Sequence, residues 1–88
     1  MKKTKHFETR ARQRGQHEAD TVFILTYGTR VHAAEAVFCV LRDKDIPQED
    51  RSHRGRLAGR VIVLSRDGSL MTCYRRRDSM RHIRRKCA

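Results

Sequence analysis

The segment HFETRARQRG sets His6, Arg10 and Arg14 at a spacing of four residues. On an α-helix that spacing stacks side chains along one face, about 6 Å apart. Histidine, with an unperturbed pKa of about 6.5, trades protons near neutrality. Arginine presents a rigid fork of donors that matches phosphate oxygens. Together they are the parts of a metal-free RNA-cleaving site, one group moving a proton while cations hold the phosphate as charge builds on it. The same spacing equally describes an ordinary solvated helix face on a basic protein. A second cluster, Thr72-Cys73-Tyr74-Arg75, offers a hydroxyl, a phenol and a guanidinium. In an extended strand Thr72 and Tyr74 share a face, with Arg75 just past the sheet edge. They suit the positioning of a nucleotide. They suit as well a core-stacked tyrosine beside a threonine chosen for strand propensity.

The elements carrying these residues follow from local patterning. Thr4 is placed to cap a helix from about Lys5 to Arg14, with Gly15 as its stop. Phe7 and Ala11 give that helix a narrow apolar stripe opposite the basic row. The next piece, HEADTVFILTYG, supports two readings. Ala19, Val22 and Leu25 fit a helix face capped by Gly28, whereas Thr21 to Tyr27 is rich in β-branched and aromatic residues and fits a strand. Arg30 to Leu41 reads as two short strands around Ala33–Glu35. From Arg42 to Arg56 the chain is polar, a loop with a helical turn beginning near Pro47. Then LAGRVIVLS-RDG-SLMTCYRR sets two β-rich runs about an Asp67-Gly68 turn. Alternation puts Leu70, Thr72 and Tyr74 on one face of the last strand, with Met71 and Cys73 on the other. The pattern predicts an α+β fold, with one or two N-terminal helices packed on a three- to four-stranded antiparallel sheet. Residues 1–77 form one such domain, and residues 78–88 a basic C-terminal tail.

Charge sharpens the reading. The 88-residue chain has a net charge of +11, with 35% charged and 38% hydrophobic residues. Residues 1–14 and 75–88 together hold thirteen basic and two acidic residues, while the rest balances at eight of each. The whole excess therefore lies at the ends, the footprint of a polyanion binder or of two solubilising tails. No apolar run approaches the ~20 residues of a membrane span. The basic N-terminus has no apolar segment behind it, so a cytoplasmic location is expected. Cys39, Cys73 and Cys87 show no metal-ligand spacing, and their odd number argues against a closed disulfide framework. His32 and His53 lack partners at ligand spacing, and His82 lies in the tail. Asp43, Asp45, Glu49 and Asp50 lack the glycine-containing pattern of a calcium loop. The sequence implies no metal and no cofactor.

The motifs H-x3-R-x3-R-G at the start and D-G-x3-T-x-Y-R near the end resemble those of a family of small bacterial domains of unknown function. That family resembles a branch of the barnase–EndoU–colicin–RelE ribonuclease-toxin superfamily. The matching positions are His6, Arg10, Arg14 and Gly15, then Asp67, Gly68, Thr72, Tyr74 and Arg75. Two places after Arg14-Gly15, usually aliphatic and then small, hold Gln16 and His17 here. The resemblance implies a helix over the undecided Ala19–Tyr27 segment. It also implies a catalytic group of His6 (acid/base), Arg10, Thr72 and Tyr74, with Arg14 and Arg75 as phosphate clamps. Arg76 and Arg77, which follow directly, extend the phosphate-binding set.

Two classes of function remain. One is a metal-independent endoribonuclease of toxin type, attacking through the ribose 2′-hydroxyl and held in check by an acidic antitoxin-like protein. The other is a non-catalytic RNA- or DNA-binding module using the same arginines as a phosphate ladder. A scaffold that binds an acidic protein partner is a third reading, and it predicts no affinity for nucleic acid.

Overall fold

A computed structural model describes residues 2–53 and 57–75, of which 51–53 only in backbone. Arg76, Arg77, the C-terminal tail, His82 and Cys87 lie outside the described residues. Two helices, α1 (Lys5–Gln13) and α2 (Glu18–Tyr27), precede four strands: β1 (Thr29–His32), β2 (Ala36–Val40), β3 (Arg60–Ser65) and β4 (Leu70–Arg75). The strands form one antiparallel sheet in the order β1-β2-β3-β4, so each pairs with its neighbour in sequence. This is the α+β arrangement that the patterning predicts.

Thr4 starts α1 and also ties it to the sheet. Its hydroxyl accepts from the Phe7 N–H at 3.0 Å and donates to the Met71 carbonyl at 3.0 Å. Thr4 N–H further donates to Leu70 O at 3.0 Å, so the N-terminal segment lies along the start of β4. The helix stops at Gly15, whose φ of 65° is a left-handed conformation that L side chains rarely adopt. The ambiguous second segment is helical. A carboxylate oxygen of Asp20 accepts from the His17 N–H at 2.9 Å and holds the start of α2. Between β2 and β3 the chain makes 3₁₀ turns at Asp43–Asp45 and Gln48–His53, the second directly after Pro47.

Both helices cover one face of the sheet, α1 over β4 and α2 over β2 and β3. The main core lies between them: Phe7, Ala11 and Ile24 from the helices meet Cys39, Ile62 and Cys73 from the sheet. A smaller cluster on the opposite face joins Val40 and Val61 to Val31, Phe38 and Tyr74.

Strict alternation fails at one point in β4. Leu64 pairs with Leu70 and Val63 with Thr72, so Met71 is an extra, exposed residue forming a bulge. Leu70 therefore lies with Cys73 in the helix-covered core, not with Thr72 and Tyr74 as a regular strand requires. The bulge coincides with the point where the N-terminal segment bonds to β4: Leu70 N–H donates to Lys2 O at 2.8 Å. Among the described residues no helix is long and apolar enough to cross a membrane.

Candidate nucleic-acid interface

Burial of Phe7 and Ala11 dictates where the basic row of α1 goes. With those two side chains turned to the core, His6, Arg10 and Arg14 are left exposed along one flank. The other flank, with Glu8 and Arg12, faces α2 across a cleft. Among the described residues no carboxylate pairs with His6, Arg10 or Arg14.

The end of the row is anchored by Arg60, a residue that site-oriented reading of the motifs passes over. Arg60 is only 9% exposed, and it shares the helix-covered face with Ile62 and Leu64. One guanidinium nitrogen donates to Gln16 Oε1 at 3.2 Å, and the other donates to the backbone carbonyl of Arg14 at 3.2 Å. That carbonyl belongs to the last turn of α1, where free acceptors collect and cations are favoured. In the ladder Arg60 stands opposite Arg75, whose side chain donates to the Ala58 carbonyl at 3.2 Å. The C-terminal ends of α1 and β4 thus meet at one corner, which gathers Arg10, Arg14, Arg60 and Arg75. Burial pushes the Cys73 thiol pKa up, and Arg60, Arg14 and Arg10 also act on that thiol, in the opposite direction. A signal for Arg60 exists in the sequence: a lone cation at an inward-facing position of an apolar strand requires a polar partner.

Thr72 and Tyr74 are elsewhere. They pair with Val63 and Val61, and Tyr74 packs in the cluster on the face opposite the helices. The four residues that the motif resemblance groups as catalytic are therefore divided: His6 and Arg10 on α1, Thr72 and Tyr74 on the far side of β4. Proton transfer and phosphate stabilisation require groups within hydrogen-bond reach of one reacting phosphate. Arg14, Arg60 and Arg75 instead share the corner where α1 and β4 end, with Arg10 one turn back along α1.

The remaining candidates act structurally. Cys39 is buried, its thiol pushed up chiefly by burial, and its Sγ donates to the Ile24 carbonyl at 3.3 Å. Asp45 is held by Arg42 through Nε at 3.1 Å and also accepts from Thr29. Among the described residues no cluster of three or more His, Cys, Asp or Glu side chains is arranged to hold a metal ion. No family model, curated protein or solved structure matches the chain.

Proposed function

We propose that this chain binds single-stranded RNA as a non-catalytic module, gripping successive phosphates with Arg10, Arg14 and Arg75 and extending the contact along His6. The observation that carries the reading is the meeting of these arginines about Arg60, at a corner where Arg10 and Arg14 have no described acidic partner. An exposed guanidinium row of this kind gives affinity without reading bases, because phosphate contacts position a strand and carry no sequence information. The charge surplus at both ends of the chain adds to the attraction, and Arg76 and Arg77 continue in sequence from Arg75. The motif resemblance, carried by these same residues, favours RNA over DNA. Binding is preferred over cleavage because the residues suited to acid–base work and to substrate positioning lie on opposite faces of β4.

The test is incubation of the purified protein with labelled single-stranded RNA in chelator at low salt. The expected outcome is a gel shift of intact RNA that is lost in an Arg10→Ala/Arg14→Ala variant. Cleavage that disappears in His6→Ala would overturn the reading in favour of a ribonuclease. Absence of any shift would remove nucleic acid altogether.

A further inference from the structure

The flank of α1 away from the cationic row borders a cleft of about 410 Å³ between α1 and the first turn of α2. That volume falls in the ~300–1,000 Å³ range of small-molecule pockets. Its chemistry is unlike that of the cationic row on the other flank of α1. The lining is mixed: Phe7 and Ala11 contribute apolar carbons at its floor, and Gln16 and Thr21 contribute polar groups. Gln16 is 7% and Thr21 1% exposed, and the Gln16 amide donates to the Thr21 hydroxyl at 2.9 Å. The carbonyl end of Gln16 is held by Arg60, so the amide is fixed in orientation. At the rim Lys3 and Arg12 are matched by Glu8 and Glu18, and Lys3 Nζ meets Glu18 Oε1 at 3.1 Å across the mouth. Leaving His17 aside, the rim charges cancel, in a chain whose net charge is +11.

We infer that this cleft receives an unpaired nucleobase of the bound RNA strand. The inference rests on the RNA-binding reading and names what that site selects. A phosphate would meet two carboxylates as well as two cations here and gains little. A neutral, flat, hydrogen-bonding group suits this mixed lining: apolar carbon at the floor from Phe7 and Ala11, and an oriented amide at Gln16 for its edge. Arg12 at the rim adds a planar guanidinium, the kind of group on which unstacked bases lie in single-strand recognition. The helix separating the cleft from the cationic row is about 10–12 Å across with its side chains, a span that a few nucleotides of extended strand cover. Phosphates on one flank of α1 and a base on the other can therefore belong to one strand.

Substituting Gln16 would also unseat Arg60, so the test uses the native chain. Affinity is measured for an eight-nucleotide oligouridylate and for an abasic ribose-phosphate oligomer of equal length and charge. In parallel the side-chain amide resonances of Gln16 are followed by NMR. The expected result is about tenfold or greater preference for the oligouridylate, with the Gln16 amide shifting only on its addition. Free uridine at millimolar concentration should leave that amide in place, since the strand supplies most of the affinity. Equal affinity for the two oligomers, or a silent Gln16 amide while the amides of residues 6, 10 and 14 move, would overturn the inference and leave RNA binding standing. Failure to bind either oligomer would overturn both.

Discussion

Arg60 of β3 donates a hydrogen bond to the backbone carbonyl of Arg14 at 3.2 Å. This contact links the third strand to the last turn of the first helix across 46 residues of sequence. A buried guanidinium thus serves as the C-terminal partner of α1 and, through Gln16, as the support of the junction leading into α2. The bond holds the backbone from which the exposed Arg14 side chain projects. Fold stability and the geometry of the cationic corner are coupled through one side chain.

Replacing Arg60 with methionine keeps an unbranched apolar stem but removes the guanidinium, leaving the Arg14 carbonyl and the Gln16 Oε1 without their donor. A cost of about 2–4 kcal/mol is expected, from one or two buried acceptors losing their bonds. For a small domain that is a large share of a total of roughly 5–15 kcal/mol. Urea denaturation should show a lower midpoint with an unchanged slope. Gln16→Ala should be strongly non-additive with Arg60→Met in a double-mutant cycle, since the two residues share a contact. Full additivity would show that the bridge contributes little.

If Arg10 and Arg14 each neutralise one phosphate, the salt dependence of RNA binding reports their number. For a single strand each contact contributes about 0.7 to the slope of log K against log salt. The Arg10→Ala/Arg14→Ala variant should therefore flatten the slope by about 1.4 units. Thr72→Val, on the opposite face of β4, should leave both slope and affinity unchanged. Filter binding across a range of potassium concentrations measures all three proteins. An affinity that falls in Thr72→Val, with the slope of the arginine variant unchanged from native, would relocate the strand to the other face.

The first helix and the hairpin were legible because their signals are local: Thr4 before Phe7 and Ala11, Gly15 as a stop, and Asp67-Gly68 between two β-rich runs. The segment now seen as α2 was not decidable from its own residues. Its apolar and β-branched side chains occur all round the helix, with Ile24 buried while Val22 and Tyr27 stay exposed. Its helical state is set by burial against β2 and β3. The bulge at Met71 was equally hidden, because it lies where the N-terminal segment bonds to Leu70, a long-range pairing that strand alternation does not encode. Grouping His6 with Thr72 and Tyr74 requires knowing which face of β4 the helix covers. That is settled by the position of Cys73 against Phe7 and Ala11, a fact of packing that spacing does not contain.

The hairpin turn should contribute to acid sensitivity. The Ser65 hydroxyl and the Ser69 backbone N–H both donate to the Asp67 carboxylate, and they lower its pKa from 3.8 to about 2. A folded-state pKa below the unfolded one means that the contribution is fully present above about pH 4. It is lost as pH falls through about 2. Thermal melting of the native chain should accordingly drop through that window, and Asp67→Asn should drop less steeply. Asp45 keeps part of the slope. Burial alone would raise its pKa, but its hydrogen bonds with Arg42 outweigh that and leave the pKa lowered. Parallel melting curves for native and Asp67→Asn proteins between pH 2 and 4 would show that the turn bonds do not persist in solution.

Gly28, at the exit of α2, has an ordinary φ of −68°, so its requirement is space and not backbone freedom. A Cβ built there would sit 2.6 Å from the Ile24 carbonyl oxygen and 2.8 Å from Cys39 Sγ. That same carbonyl accepts from the Gly28 N–H at 2.7 Å and from Cys39 Sγ at 3.3 Å, so it cannot withdraw without breaking both bonds. Gly28→Ala should cost about 1–3 kcal/mol by overpacking, even though alanine fits the local backbone. Trimming the neighbour with Cys39→Ala removes only one of the two close atoms and should rescue Gly28→Ala in part, leaving the backbone clash. Chemical denaturation of the two single variants and the double variant reads this directly. A double variant as stable as Cys39→Ala alone would place the whole clash on the sulfur.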